Sequence, residues 1–223
     1  MGDFFIIKGD DCQASFAERC MENETYQSYF IHKTYQAATC IHQQGTAIEH
    51  FGIVTKGILK AVNDTMNGME LCHTYFQVED IFPEFLYFSG RQHYTYNLYT
   101  VKKSEVVWIP VSVMEEMLAA DPQLMYALIL YISRRGLKNQ LFLNCLNYHT
   151  IRERIAFWIV GMHNITMGET ILLPSSQSIF ANLLHVSRSS LNKELKSMER
   201  EAFFAVAQRK ICNIDLERLS ELL

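Results

Sequence analysis

The spacing of apolar residues changes twice along this chain of 223 residues, and each change limits what the chain can fold into. From Tyr29 to about Pro110, the segments YFIHKTY, FGIVTKGILKAVN, ELCHTYFQV, YTYNLYTV and SEVVWIPV are rich in β-branched and aromatic residues, as strands are. Asn67-Gly68 lies between two of these segments and favours a type I′ hairpin, because both residues tolerate positive φ. We expect an antiparallel β-roll of jelly-roll type.

The pattern becomes helical from Val111 to about Leu146. This stretch contains no glycine except Gly136 and no proline except Pro122, and its apolar residues return at steps of three and four. It predicts a short helix that ends near Pro122, followed by a long helix whose first half is apolar almost all round and must be covered on two sides. The cover is either a second copy of the helix or the interior of the same chain. The stripe that we assign to a seam between two copies is Leu124, Leu128, Tyr131, Ile132 and Leu141.

Shorter helices follow from residue 147 onward. The segment HTIRERIAFWIVGMH is amphipathic, and Pro174-Ser175-Ser176 then supplies a start signal with Ser176 as the N-cap of the next helix. A corner falls at His185-Val186, after which Ser187 caps a further helix. In that helix Leu191, Leu195 and Met198 recur at i, i+4 and i+7, so they predict its buried stripe.

The opposite side of this last helix is polar and partly cationic. Long donors near a helix N-terminus can reach guanine O6 and N7 in a DNA major groove, and asparagine can pair with adenine. An ordinary solvated face would have the same composition. The following segment FFAVAQRKICNI reads as two short strands around a cationic tip at Arg209, which suits a neighbouring phosphate. The polar arc comprises Arg188, Ser189, Asn192, Lys193 and Lys196.

Charge alone does not decide for or against nucleic acid. The net charge is −4, but residues 1–150 carry 11 basic against 16 acidic side chains, whereas residues 151–223 carry 9 against 8. Any basic surface must therefore be local. The longest apolar run, Leu124 to Ile132, is about half of what a bilayer requires, so we expect a cytoplasmic protein without a membrane partner. The six cysteines, with Cys12 the first, form no CxxC pair.

Several motifs occur together in the order and at the spacing that they have in the Crp/Fnr regulators of bacterial transcription. They are CIHQQG, IVTKGILKAV, the long helix, TIRERIA, FANLLHVSRSSLNKELKSMERE and the wing. The most specific is V-S-R-x-[ST]-[LV]-x-[KR]-x-L-K-x-[LM]-E, which begins at Val186. From about Tyr29 to its end the chain resembles this family. One departure is His185, where the family usually has a glycine with positive φ, a conformation that histidine tolerates.

The resemblance implies an α+β fold with three parts. These are a β-roll sensor domain of the cyclic-nucleotide-binding kind (1–110), a dimerisation helix (111–146) and a C-terminal winged helix-turn-helix (147–223). It implies a homodimer that binds a palindromic operator in double-stranded DNA, with RNA polymerase as a further partner and no catalytic activity. The DNA-binding residues that we assign are Ser176, Ser187, Arg188, Ser189, Asn192, Lys193, Lys196 and Arg209.

The roll departs from the family where a cyclic nucleotide would bind. In members that bind one, a short helix carries Gly-Glu and an Arg-Ser or Arg-Thr pair begins ten residues after that Glu. Here Glu84 matches the acid, but Pro83 replaces the Gly and Tyr94-Thr95 stands where the cationic pair would be. Tyrosine cannot offer the bidentate fork that compensates a buried phosphate. We therefore expect either an unknown small-molecule effector or no effector, with Glu84, Phe85, Tyr94, Thr95 and Tyr96 as candidate contacts.

Two other readings of the roll stay open. One is a cupin-like enzyme with a catalytic metal, although the roll contains no HxH motif and no closely following Glu. The other is a haem or redox sensor, although the first three cysteines are spread out. We assign neither a metal site nor a cofactor. The tyrosines of the roll either line an aromatic pocket or simply pack its interior. The histidines that a haem could use are His32, His42, His50, His73 and His93.

Overall fold

A computed structural model describes residues 14–64, 70–174 and 176–223. Three features of the sequence therefore lie outside the described residues: the Asn67-Gly68 turn, Cys12 and Ser175. The described chain divides into two compact units, one reaching Ile132 and the other running from Ser133 to Leu223. Because the long helix belongs to both units, the division at residues 110 and 146 stays a prediction.

The first unit is mostly antiparallel β-structure with three helices and part of a fourth. One sheet has the strand order β1-β8-β3-β6, and the other has the order β2-β7-β4-β5. Its elements, in chain order, are α1 (Phe16–Met21), a 3-10 turn (Gln27–Tyr29), β1 (Ile31–Tyr35), β2 (Cys40–His42), β3 (His50–Lys56), β4 (Leu59–Asp64), β5 (Glu70–Phe76), β6 (Ile81–Phe82), α2 (Glu84–Phe88), β7 (Asn97–Thr100), β8 (Ser104–Pro110), α3 (Val111–Ala120) and the start of α4 (Pro122–Cys145).

The sheet that contains β3 and β8 is buried on both faces, which explains their nearly continuous apolar sequences. In β8, Val107 and Ile109 belong to a core shared with α1, α3 and α4, whereas Val106 and Trp108 belong to a core shared with the second sheet. Successive side chains of a strand point to opposite faces, so a strand covered on both sides needs apolar residues at every position.

Two details differ from the predicted strands and helices of this unit. The segment YTYNLYTV forms a strand only from Asn97, because the backbone N–H and carbonyl of Tyr94 bond to Thr46 and Gly45 instead. Helix α1 was not predicted. Its N-cap Ser15 forms a capping box with Glu18, and three of its six residues are buried in the core.

The predicted break between the two central helices is confirmed. Helix α3 ends at Ala120, Asp121 is extended, and its carboxylate accepts a hydrogen bond from the backbone N–H of Gln123 at 2.8 Å. Pro122 is then the first residue of α4. A proline fits this position because its missing N–H would have no partner there.

The assignment of Leu124, Leu128 and Leu141 to a seam between copies is wrong, whereas Tyr131 and Ile132 are half-buried. Leu124 and Leu128 are 1% and 2% exposed and lie inside the core of the first unit, where Tyr131 and Ile132 pack against its edge. Leu141 is buried in the core of the second unit. The spacing of three and four identified buried residues correctly, but the interior of the same chain covers Leu124, Leu128 and Leu141.

The second unit consists of helices around a three-stranded antiparallel sheet with the order β10-β11-β9. Its core contains Trp158, Phe180 and Leu191. The predicted α+β fold with a β-roll, a long helix and a winged helix-turn-helix is confirmed. After the end of α4, the elements are α5 (Ile151–Thr166), β9 (Ile171–Leu172), α6 (Gln177–Leu183), α7 (Arg188–Arg200), β10 (Ala205–Ala207), β11 (Lys210–Cys212) and α8 (Leu216–Ser220).

Candidate nucleic-acid interface

Helices α6 and α7 meet at a tight corner held by backbone hydrogen bonds. The Oγ of Ser176 accepts a bond from Ile179 N at 3.1 Å and so caps α6 as predicted. At the corner, Val186 N donates to Ala181 O at 3.0 Å, and His185 has a φ of 53°. The predicted left-handed histidine is therefore confirmed, and the corner forms without a glycine.

Helix α7 presents one apolar side and one polar side. The Oγ of Ser187 accepts a hydrogen bond from Ser190 N at 3.0 Å, which confirms Ser187 as the N-cap. Leu191, Leu195 and Met198 are buried in the core of the second unit. This anchoring fixes the rotation of α7 about its axis, so its polar arc faces away from the core.

The polar arc carries exposed cations. Arg188, Ser189, Lys193 and Lys196 are exposed. Within the described part of the chain, the side chains of Arg188, Lys193 and Lys196 make neither a hydrogen bond nor an ion pair. Asn192 is half-buried, and its Oδ1 accepts a bond from Gln177 Nε2 at 3.2 Å. These donors are suited to base edges and phosphates.

Three serine hydroxyls cluster at the N-terminus of α7. The Oγ of Ser187 lies 2.9 Å from that of Ser189 and 2.8 Å from that of Ser190. Hydroxyl groups and backbone N–H groups at a helix N-terminus are common phosphate contacts. The cluster lies beside Arg188, so both kinds of donor occur at the same end of the helix.

The wing is a two-residue hairpin between β10 and β11. Gln208 and Arg209 have φ values of 48° and 70°, as in a type I′ turn. The predicted cationic tip is exposed, but one guanidinium N–H of Arg209 donates to Leu173 O at 3.1 Å. Because arginine has five N–H donors, the others remain for a phosphate.

Two arginines near the start of α5, which we did not predict as site residues, contact α7 and the corner that precedes it. Arg152 bonds the carboxylates of Glu194 and Glu201, and Arg154 donates to Leu184 O at 2.8 Å. The TIRERIA motif contains both, but their spacing alone does not reveal these distant partners.

The five candidate effector residues lie in different environments of the roll. Glu84 is the first residue of α2 and is 1% exposed, whereas Phe85 beside it is exposed. Thr95 and Tyr96 are half-buried. Tyr94 is 2% exposed, and its ring lies 5.7 Å from that of Tyr96, so the structure brings these two together.

Tyr94 is part of a closed series of six aromatic rings in the roll. Its ring stacks on His42 at 4.6 Å, and burial raises the pKa of its hydroxyl, which therefore stays neutral. Phe82, another member of the series, packs its ring against Gly52, where a Cβ atom would overlap the ring. Neighbouring centroids are between 4.6 and 6.5 Å apart around the series His42, Tyr94, Tyr96, Phe76, Phe82 and Trp108.

A small cavity of about 120 Å³ borders this series. Of the candidate effector residues, Tyr94 alone lines it, together with His42, Thr46, Ala47, Glu49 and His50. The pKa of His42 is lowered by burial and by the neighbouring His50 and Lys33. Among the described residues, no cluster of three or more His, Cys, Asp or Glu side chains has the arrangement of a metal site.

No helix among the described residues combines the length and the hydropathy of a membrane-spanning segment. Residues 32–121 match the family model described as a cyclic nucleotide-binding domain, and residues 153–222 match that of a Crp-like helix-turn-helix domain. No curated protein matches the chain in sequence.

Solved structures of bacterial regulators have the same fold. A CooA mutant from Carboxydothermus hydrogenoformans is 15% identical, with a TM-score of 0.66 and coverage of 93% of this chain and 95% of that one. FixK2 from Bradyrhizobium japonicum is 18% identical, with a TM-score of 0.59 and coverage of 86% and 96%. The c-di-GMP responsive global regulator CLP from Xanthomonas campestris is 18% identical, with a TM-score of 0.56 and coverage of 85% and 96%.

At these identities the solved structures establish the fold alone, whereas the two family models match the sequence of the roll and of the helix-turn-helix separately. The two matched domains occur in one chain, in the order that the motifs from CIHQQG to the wing predict. The chain belongs to the Crp/Fnr family of transcription regulators.

Proposed function

We propose that this chain is a cytoplasmic homodimer that binds a palindromic DNA operator through α7 and regulates transcription there, with RNA polymerase as a further partner. The observation that carries the proposal is the arc of exposed cations on α7, opposite the buried stripe that anchors it. A helix held in this way can enter a major groove with its N-terminal residues toward the bases. Arg188 and Lys193 are the base-contacting residues, and Arg209 in the wing contacts a phosphate.

The second copy packs on the side of α4 that the described residues of its own chain leave exposed. Leu124 and Leu128 face the core, but Ile129 is 54% exposed and Leu143 is 67% exposed, and Met125 and Leu137 are exposed as well. Large apolar side chains that recur along a helix and remain exposed are typical of a surface that another protein covers. A dimer that reads a palindrome needs its two recognition helices about one DNA turn apart, roughly 34 Å, and a parallel pair of α4 helices is the arrangement that we propose.

A hydrogen-bonded tyrosine provides a route from the roll to α4. The hydroxyl of Tyr131 donates to Asp80 Oδ1 at 3.2 Å and accepts from Ile81 N at 3.1 Å. Ile81 begins β6, which leads directly into Pro83 and α2. A change at this corner would therefore alter how α4 packs. We propose that regulation is a shift in population between two such packings of α4.

The ligand of the roll is not a cyclic nucleotide. Tyr94 occupies the position of the phosphate-binding arginine, and its buried ring is packed between His42 and Tyr96. No cation is therefore present at this position to compensate a phosphate. Glu84 and Tyr94 remain the candidate contacts of a different small molecule, and a regulator that needs no effector is the alternative.

The base-reading role of Arg188 can be tested by substitution. We expect Arg188→Ala to weaken operator binding by about 1–3 kcal/mol per half-site and to relax the preference at one base pair. Arg209→Ala should weaken binding to all sequences alike, because a phosphate contact carries no sequence information. Binding would be measured by fluorescence anisotropy with a panel of single-base operator variants.

Arg200→Ala is the matched control, since Arg200 lies on the same helix at its far end and its Nε bonds to Lys196 O. It should leave the base preference unchanged. If Arg188→Ala has the same base preference as the unsubstituted protein, Arg188 does not read a base.

The proposed dimer interface on α4 can be tested by substitution of two adjacent residues, one exposed and one buried. Ile129→Glu should give folded monomers, because the charge would be desolvated only in the dimer. Leu128→Glu should instead unfold the first unit, since Leu128 is buried in its core. Analytical ultracentrifugation and circular dichroism would separate the two effects, and a stable Ile129→Glu dimer would place the interface elsewhere.

Cyclic AMP and cyclic GMP should not bind. The absence of a guanidinium at Tyr94 removes a charge-assisted bidentate contact worth several kcal/mol, enough to weaken a micromolar ligand to about millimolar. We expect no heat of binding by calorimetry at tens of micromolar and no shift in thermal unfolding. Micromolar binding would show that Glu84 and Tyr94 do not mark the nucleotide position. Arg91, an exposed cation three residues before Tyr94, would then be tested as the phosphate contact by Arg91→Ala.

A further inference from the structure

Two arginines of α5 hold α7 and the corner before it, and their geometry goes beyond general packing. Arg152 bonds two carboxylates at once: its Nε donates to Glu194 Oε1 at 2.6 Å, and its two terminal nitrogens donate to the Glu201 carboxylate at 2.8 and 2.7 Å. Glu194 lies in the middle of α7, and Glu201 is its C-cap. Arg152 therefore contacts α7 at two points along its length.

The contact with Glu201 is bidentate and well supported. Ser197 donates a further hydrogen bond to Glu201 Oε1 at 3.0 Å, and the hydrogen bonds from Arg152 lower the pKa of Glu201. The same bonds raise the pKa of Arg152. Planar arginine-carboxylate pairs of this kind restrict orientation as well as distance. Lysine could not reproduce the arrangement, since it has no fork.

Glu194 has a particular position on the recognition helix. It directly follows Lys193, which belongs to the exposed cationic arc, yet its own carboxylate is drawn toward α5 by Arg152. The short ion pair holds this carboxylate on the side of α7 that faces α5. Arg152 thus keeps an acidic side chain of α7 out of the cationic arc.

Arg154 binds the corner that precedes the N-terminus of α7. Its Nη1 donates to Leu184 O at 2.8 Å, and its Nε donates to Tyr148 O at 2.9 Å. Leu184 is the C-cap of α6, and the left-handed residue His185 follows it. A carbonyl at a helix C-terminus lacks an intrahelical partner, so Arg154 satisfies it and ties the corner to the segment before α5.

We propose that Arg152 and Arg154 are positioning residues for DNA recognition, which set the angle of α7 relative to α5 and hence to the end of α4. Helix α5 follows α4 after a short link, and Leu141 of α4 packs closely on Gly161 of α5. The angle of α7 on this pair of helices determines how far apart two recognition helices lie in a dimer. The inference rests on the proposed function, since spacing has meaning only for a dimer on DNA.

The expected signature is a loss of spacing discrimination with the base preference retained. The base contacts belong to Arg188 and Lys193, which Arg152 does not touch. A helix that is less firmly held can still read each half-site, but it adapts to half-sites at other distances. A residue that only stabilised the fold would leave discrimination unchanged at temperatures where the variant is folded.

The experiment uses the full-length protein and a set of operators that contain two copies of the half-site it prefers. In one operator the half-sites have the spacing that the unsubstituted protein binds most tightly, and in the others the spacing is one base pair longer or shorter. For Arg152→Gln we expect discrimination between these operators to fall about five- to tenfold, within the range of coupling between contacting residues. The preference at each base should not change, and the salt dependence of binding should keep its slope. Arg152→Lys should not restore discrimination.

Glu201→Gln gives an independent test, because it weakens the clamp while Arg152 stays in place and Glu201 is exposed. Glu201→Gln should reduce the discrimination between spacings less than Arg152→Gln does. The double variant should discriminate between spacings as well as Arg152→Gln alone. This second variant keeps the test decisive if Arg152→Gln does not fold. Arg154→Gln should act in the same direction as Arg152→Gln.

Unchanged spacing discrimination in folded Arg152→Gln, or in Glu201→Gln where Arg152→Gln does not fold, would overturn the positioning role. The slope of log K against log salt concentration is a second criterion. If it falls by about one per protomer in Arg152→Gln, Arg152 is a phosphate contact and the positioning role is overturned. Failure of the proposed function is a different result, in which the unsubstituted protein prefers no DNA sequence at all.

Discussion

Three apolar side chains of α7 enter the core of the second unit, and the presentation of the polar arc depends on this contact. Burial of Leu191, Leu195 and Met198 fixes the rotation of the helix, so the exposed cations on its other side can face a ligand only in one orientation. Each such side chain contributes roughly 1.5–3 kcal/mol when it is fully buried, far more than any exposed ion pair on the surface. The arginines of α5 then refine the angle that the apolar contact has set.

The roll keeps the fold of the family, and we propose that it has lost the cyclic nucleotide site. Its interior is occupied by aromatic rings, among them Phe82 against Gly52 and Tyr94 against His42. These contacts stabilise the roll without a ligand, whereas a buried phosphate would need a cation that the position of Tyr94 does not supply. The match to a cyclic nucleotide-binding domain therefore describes the architecture of this unit, and its ligand has to be argued from its own residues.

Much of the second unit could be predicted because its signals are local. Serine caps, the step of three and four in α7, and the left-handed His185 all depend on neighbouring residues, and the structure contains each of them. The cover of α4 could not be predicted in this way. The spacing of Leu124 and Leu128 shows that they are buried, but a chain's own core and a second copy impose the same spacing.

Contacts between residues far apart in sequence could not be predicted either. The partners of Arg152 lie 42 and 49 positions away, and no local pattern connects them. The packing of Tyr94 is similar: its substitution for an arginine was visible in the sequence, but its stacking on His42 depends on how the roll brings the two segments together.

Selection of bound sequences from a pool of random DNA tests the central claim most directly. The account predicts an inverted repeat whose half-site centres lie about one helical turn apart, roughly 10 base pairs, because a dimer places two copies of α7 in successive major grooves. An enriched site without two-fold symmetry, or no enriched sequence, would contradict the claim that this protein is a dimer that reads DNA through α7.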